Sequence, residues 1–170
     1  DQADGRYDGV ESNSRSGSAL VAGDMNSDGL IDLAVGAPHD NGGTVYLLTD
    51  LSQVTSLTHS PAMLRSPTSH ARFGSELALS DINSDGQADL IIGAPDDDQG
   101  GSFAGAAYVF SPSLSGSGMA MGLHIPDAVV LGDEPAGLLG SSFAPAEDGV
   151  WIGAPGLNNG AGGLQFLLMY

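Results

Sequence analysis

The sequence predicts an all-β fold of three like units, each a blade of short antiparallel strands, and three observations carry that prediction. First, Gly-Ala-Pro occurs at Gly36, Gly93 and Gly153, 57 and 60 residues apart, with matching flanks on both sides, so the chain contains an internal repeat. Second, the segments that enter it, Leu33-Ala34-Val35, Leu90-Ile91-Ile92 and Val150-Trp151-Ile152, are short, β-branched or aromatic, and bounded by turn residues, as buried strands are. Third, residues 24–32 and 81–89 repeat the order Asp-x-Asn-x-Asp-Gly-x-x-Asp just ahead of those strands. Helical periodicity is sustained nowhere.

Taken in order, each unit opens on a short apolar strand: Ser16-Gly17-Ser18-Ala19-Leu20, Phe73-Gly74-Ser75-Glu76-Leu77 and Leu139-Gly140-Ser141-Ser142-Phe143. The acidic loop follows in the first two units, whereas the third keeps only Ala146-Glu147-Asp148-Gly149. A second strand then runs into Gly-Ala-Pro, a Gly/Asn/Asp turn reverses the chain, and a third strand follows at residues 43–48, 105–110 and 163–168. A fourth, weaker strand is expected ahead of each unit, around residues 5–10, 62–64 and 128–131. The single repeat domain, residues 1–170, thus divides into units of about 5–60, 61–126 and 127–170. Four short antiparallel strands repeated radially make propeller blades, and because propellers close with about four to eight blades, this chain is an incomplete propeller by itself.

Composition narrows the function. A chain of 170 residues with 41% hydrophobic residues can bury one ordinary core. The formal charge is −17, from 4 arginines, no lysine and 21 acids, which excludes nucleic acid and anionic membrane as natural partners because both need basic surface. Cations are the counterpart, although two divalent ions would still leave about −13. There is no cysteine, hence neither a disulfide framework nor a thiolate metal site. No apolar leader and no apolar run long enough to span a bilayer occurs, so membrane insertion is not expected and the chain reads as a mature soluble segment. There is no Asn-x-Ser/Thr sequon, though the Ser/Thr stretch over residues 52–69 suits O-linked sugar.

The two acidic runs have calcium-loop spacing. Oxygen side chains at positions 1, 3, 5 and 9 converge where the chain turns sharply, and the glycine at position 6 supplies the positive φ the turn needs. Asp24, Asn26, Asp28 and Asp32 with the carbonyl of Leu30 form one expected oxygen cage; Asp81, Asn83, Asp85 and Asp89 with the carbonyl of Gln87 form the other. Each cage sets three negative charges against two positive ones. Calcium tolerates such an irregular oxygen shell, magnesium prefers a stricter octahedron, and zinc would want histidine or thiolate. Turn chemistry alone also favours Asp, Asn and Gly, but it does not account for two copies that each close on a ninth-position aspartate before an apolar strand. Two Ca2+ per chain, structural rather than catalytic, are expected. Weak oxygen sites fill at extracellular calcium levels and stay empty in the cytosol, which favours an extracellular or cell-surface location.

Other chemistry-bearing residues are read as structural. His39, His59, His70 and His124 are scattered and read as surface or loop residues, and Glu134 and Glu147 lack a carboxylate partner for acid–base work. Asp96-Asp97-Asp98 reads as a solvated turn, with an exposed ligand patch as the alternative. Trp151 reads as core packing rather than a sugar-stacking platform, and Met119 and Met121, in a Gly/Ser-rich linker, suit an interface contact.

The combination of Phe73-Gly74, Asp-x-Asn-x-Asp-Gly-x-x-Asp-Leu and Gly-Ala-Pro resembles the FG-GAP repeat of integrin α-subunit β-propellers and of many secreted bacterial proteins, over roughly residues 5–170. Three departures stand out. Ser16 and Leu139 replace the phenylalanine, and the third unit lacks the acidic loop, so metal is expected at two of the three blades. With no nucleophile–base pair in view, the expected function is a non-enzymatic extracellular calcium-stabilised module for protein or glycan binding or adhesion. The alternative is a structural protomer that assembles into a surface fibre or closed ring through exposed blade edges. Expected partners are calcium, other copies of the chain or the rest of a longer propeller, and a protein or glycan ligand.

Overall fold

A computed structural model describes residues 7–49, 56–57, 60, 62–111 and 125–168. It contains three antiparallel sheets arranged as an open arc, an incomplete propeller. The first runs β1 (Leu20–Gly23), β2 (Asp32–Ala37), β3 (Thr44–Leu48) and β4 (Ala62–Arg65) side by side. The second repeats this order with β5 (Glu76–Ser80), β6 (Asp89–Ala94), β7 (Ala106–Phe110) and β8 (Ala128–Leu131). The third has β9 (Ser142–Ala146), β10 (Gly149–Ala154) and β11 (Gly163–Leu167), with a single turn, α1 (Leu157–Gly160), between its last two strands.

Side chains alternate between the two faces of each sheet, and both faces of the middle sheet are apolar because both are covered. Ala34, Val45, Leu47 and Leu64 of the first sheet meet Phe73, Leu77, Ile92, Tyr108 and Phe110 of the second. Ile91, Ala107 and Val109 on the other face of the second sheet meet Leu139, Val150, Ile152 and Leu167 of the third. Phe73 is fully buried in the first junction, edge-on to Tyr108 at 5.3 Å and to Phe110 at 6.4 Å. The repeated glycines make this close stacking feasible. A Cβ on Gly36 would lie 2.1 Å from the Gly74 carbonyl oxygen, and one on Gly93 would lie 2.1 Å from that of Gly140, so the first two Gly-Ala-Pro segments each touch the x-Gly of the next blade.

Several expectations need correction. The strands expected near residues 62–64 and 128–131 exist, but they pair with the strand before them: Val45 opposes Leu64, and Tyr108 opposes Val129. They complete the preceding blade, because β3 and β7 would otherwise leave an unpaired edge and because Ala62 and Leu64 add apolar surface to the junction. Residues 7–10 form no strand; residues 5 and 6, like His59, His124, Met119 and Met121, lie outside the described residues. The x-Gly-Ser segments are turns rather than strands, closed by the Ser18 and Ser75 amides donating to Arg15 and Arg72 carbonyls at 3.1 Å, and their strands begin later.

The third strand of the last unit is also shifted. Aligned on its Gly-x-x-aromatic pattern, Phe166 stands where Tyr46 and Tyr108 do. In the sheet, however, Val35 opposes Tyr46 and Ile92 opposes Tyr108, whereas Ile152 opposes Gln165. Gly162, not Gly163, shares the left-handed backbone of Gly43 and Gly105. A one-residue slip sends every side chain of a strand to the opposite face. Phe166 therefore faces away from the middle sheet, beside Trp151 at a ring separation of 4.7 Å. Trp151 is 44% exposed, contrary to the core role expected for it, because no sheet among the described residues covers that face.

Candidate metal centre

The two acidic runs are the loops joining the first strands of their sheets, residues 24–31 between β1 and β2 and residues 81–88 between β5 and β6. Each is pinned at its second residue, where Met25 and Ile82 enter the buried clusters. Ser27 and Gly29 have φ of 61° and 83°, and Ser84 and Gly86 have 60° and 87°, so the two chains turn in the same way. Glycine at the sixth position accommodates this left-handed backbone without a Cβ.

The backbone-amide hydrogen bonds within the two loops repeat residue for residue. The Asp28 amide donates to Asp24 Oδ1 at 3.2 Å and Asn26 Oδ1 at 3.0 Å, and the Asp85 amide donates to Asp81 Oδ1 at 3.1 Å and Asn83 Oδ1 at 3.0 Å. Gly29 and Gly86 amides each donate at 2.9 Å to Oδ2 of the first aspartate. Leu30 and Gln87 amides each donate at 2.8 Å to Oδ1 of the fifth-position aspartate, Asp28 or Asp85. Position 1, 3 and 5 side chains are thereby turned inward over the loop. The Ser27 hydroxyl of the first loop donates to the Gln87 side chain of the second, so the loops lie together on one rim of the arc.

The ninth-position aspartates differ from the rest. Asp32 and Asp89 are 1% and 0% exposed. One oxygen of each accepts a peptide N–H, Met25 to Asp32 Oδ2 at 2.8 Å and Ile82 to Asp89 Oδ2 at 3.0 Å. The other, Oδ1 in both, is buried without a hydrogen-bond partner. Burial pushes the Asp32 carboxyl above its ordinary pKa, opposed by the Met25 amide and reinforced by repulsion from Asp28 and Asp24. Burial likewise raises Asp89; the nearby Ser111 hydroxyl and the Ile82 amide oppose it, and Asp85 and Asp81 add repulsion. A buried carboxylate with a spare oxygen, repelled by further acids, costs free energy unless a cation or proton joins it. The donor set is all oxygen, which suits a hard divalent cation. Among the described residues no three acidic, histidine or cysteine side chains are gathered into a ready-made cage; the first-position acids are held instead by loop amides.

Other side chains also depart from their expected settings. Asp97 is buried rather than solvated, accepting from Tyr108 Oη at 2.7 Å, Thr68 Oγ1 at 2.8 Å and the Gln99 amide at 2.8 Å. Asp40 is its counterpart in the first blade, holding the Tyr46 hydroxyl. Sequence reasoning missed this pairing. Its signal is the aspartate two residues after proline in both Pro38-His39-Asp40 and Pro95-Asp96-Asp97, each followed by a tyrosine in the third strand. Asp96 is paired with the Arg72 guanidinium, Asp98 is exposed, and His39, His70, Glu134 and Glu147 lie at the surface.

Comparison with known proteins gives the same repeat. The family described as FG-GAP repeat matches residues 16–48 and 73–110, the two units that carry acidic loops. Integrin alpha-3 of Cricetulus griseus is 35% identical over 125 residues, covering 69% of this chain and 11% of that protein. Phosphatidylinositol-glycan-specific phospholipase D of Bos taurus is 33% identical over 150 residues, covering 84% of this chain and 18% of that protein. Integrin alpha-8 of Homo sapiens is 37% identical over 100 residues, 52% of this chain and 9% of its own length. The chain therefore spans between about a tenth and a fifth of these relatives. The matched loops, their shared turn geometry and the Gly-Ala-Pro contacts between blades agree: the chain belongs to the FG-GAP repeat family.

Proposed function

We propose that this chain is an extracellular, calcium-stabilised repeat module for protein or glycan binding or adhesion, without catalytic activity of its own. One observation carries the calcium reading: in both loops the buried ninth aspartate keeps an unpartnered oxygen. Asp24, Asn26, Asp28, Asp32 and the Leu30 carbonyl would hold one ion, and Asp81, Asn83, Asp85, Asp89 and the Gln87 carbonyl the other. Calcium bound there supplies positive charge that offsets the mutual repulsion of three carboxylates. The chain's own residues do the rest: loop amides pre-orient the acids, Met25 and Ile82 anchor the loops to the core, and the filled loops brace the first strand pair of each blade.

The same rim presents exposed loop residues for a ligand, Leu30 and Ile31 among them at 59% and 60% exposure. Similarity to the integrins supports an adhesion role. Similarity to a phospholipase D leaves non-catalytic status as part of the proposal, since this chain spans 18% of that protein. No described helix is long and apolar enough to cross a membrane. Native mass spectra in calcium and after chelation test the metal reading directly. Two ions per chain, falling to one in Asp28→Ala or Asp85→Ala, is the expected result; spectra without bound calcium overturn it.

A second reading, a structural protomer that assembles into a fibre or ring, has one observation in its favour. The outer face of the third blade is apolar and uncovered: Trp151, Leu164 and Phe166 are 44%, 69% and 38% exposed.

A further inference from the structure

We infer that the two acidic loops act as a coupled pair, in which a cation held by one loop tightens the other through a clasp between the side chains of Ser27 and Gln87. The inference rests on the calcium reading above and goes beyond it, because neither of these side chains belongs to the oxygen set of either loop.

Ser27 is the fourth residue of the first loop and stands between Asn26 and Asp28, which would both hold the first ion. Gln87 is the seventh residue of the second loop, the one whose carbonyl would hold the second ion. The Ser27 hydroxyl donates to the Gln87 side-chain oxygen, so one hydrogen bond ties the two oxygen sets together. The sequence supplies it at this junction alone. The seventh residue of the first loop is Leu30, whose side chain has no acceptor, and Ser84, fourth in the second loop, meets no acidic loop in the third unit, which keeps only Ala146-Glu147-Asp148-Gly149.

A packed route lies beneath the clasp. Strand β1, which feeds the first loop, lies against β5, which feeds the second. A Cβ on Gly23, the residue before Asp24, would lie 2.6 Å from Leu79 Cδ1, and Leu79 stands two residues before Asp81. Met25, whose amide anchors Asp32, shares a buried cluster with Leu77 and with Leu90, the neighbour of Asp89. The entry to the second loop is braced differently: the Ser80 hydroxyl donates to the Gly149 carbonyl at 3.1 Å, on a turn with no acidic loop to pass an effect to.

The clasp needs Ser27 and Gln87 in place together. In either loop three carboxylates repel one another, and fixing the loop backbone costs conformational entropy that opposes ion binding. An ion that fixes one partner of the clasp lowers the ordering cost for the other, and by linkage the effect is equal in both directions. Charge works the opposite way, because an ion in one loop weakens the field that draws an ion to the second. Salt screens that opposing effect, with a Debye length of about 8 Å at 0.15 M, and neutral substitutions leave it unchanged. The two effects are therefore separable.

Calorimetric titration of the 170-residue chain with calcium at about 0.15 M salt tests the coupling in the parent, Ser27→Ala, Gln87→Ala and the double variant. Both side chains are exposed, so the fold tolerates their loss. Each single substitution is expected to weaken binding of the second ion about three- to tenfold, the equivalent of one hydrogen bond, and the double variant to lose no more than either single one. One-loop chains separate coupling from local support. Ser27→Ala added to Asp85→Ala, and Gln87→Ala added to Asp28→Ala, should each shift the affinity of the remaining loop by less than about twofold. Second-ion affinity that is the same in the parent and both single variants overturns the inference and leaves the calcium reading intact. Losses as large in the one-loop chains, or losses that add in the double variant, overturn it too, since the side chains would then support only their own loops. A parent chain that binds no calcium removes the calcium reading and the inference together.

Discussion

Asp32 and Asp89 each meet two opposing demands. Their Oδ2 atoms anchor a loop amide, which favours a carboxylate, while burial and two neighbouring acids disfavour its charge. Replacing the charge while keeping the shape separates these demands. Asp89→Asn is expected to leave stability in chelator unchanged or slightly raised, since an uncharged group loses the burial penalty. In millimolar calcium the same variant should melt below the parent, having lost an ion ligand; thermal melts of both proteins in both buffers make the comparison, and a parallel shift in the two buffers contradicts it. Gly93 is constrained by sterics instead. A Cβ there would sit 2.1 Å from the Gly140 carbonyl oxygen, a backbone atom that cannot rotate away. Gly93→Ala should cost about 1–3 kcal/mol in urea unfolding with or without calcium. An unchanged midpoint would mean the second and third blades are not packed this closely.

At the scale of strands and turns, the post-proline aspartate ties each turn to its third strand. Burial, with Asp97 beside it, drives the Tyr108 pKa well upward, so the hydroxyl remains a donor. Tyr108→Phe removes the donor and leaves Asp97 buried with only Thr68 and Gln99, at a cost of about 1–3 kcal/mol measurable by denaturant titration. A cost near zero would mean that water takes the place of the hydroxyl. The third blade dispenses with the device, having Leu157 and Gln165 in place of the aspartate and tyrosine. Most of the strands were legible because period and turn residues are local: β2, β6 and β10 sit where Leu33-Ala34-Val35, Leu90-Ile91-Ile92 and Val150-Trp151-Ile152 place them. The acidic loops were legible as turns for the same reason. What the sequence concealed is non-local. Nothing near Ala62 or Ala128 says that those strands pair backward with β3 and β7, and nothing local to Phe166 announces the one-residue slip in β11. The environment of Trp151 followed from that arrangement, and the buried state of Asp97 depended on a tyrosine 11 residues away.

For the whole molecule, charge and metal must be distinguished, because any cation relieves a chain of charge −17. Sodium chloride screens the acids generally and should raise the melting temperature modestly before levelling off, since the Debye length is already about 10 Å at 0.1 M. Calcium at equal ionic strength has a further route if it binds the folded loops and not the unfolded chain. At a hundredfold excess over its dissociation constant each site would add about 2.7 kcal/mol, and two sites about twice that. For a chain of this size that corresponds to a melting-temperature rise on the order of 10–20 °C over the sodium control. Magnesium should give a smaller rise, because it binds irregular oxygen shells less readily than calcium. Combining Asp28→Ala with Asp85→Ala should abolish the calcium increment while retaining the sodium response, as the fifth-position acids are exposed and the Asp-to-Ala changes leave both buried junctions untouched. If calcium and sodium at matched ionic strength give one melting temperature for the parent chain, the ninth-position aspartates must tolerate their unpartnered oxygens without an ion, and the loops would then serve as turns alone.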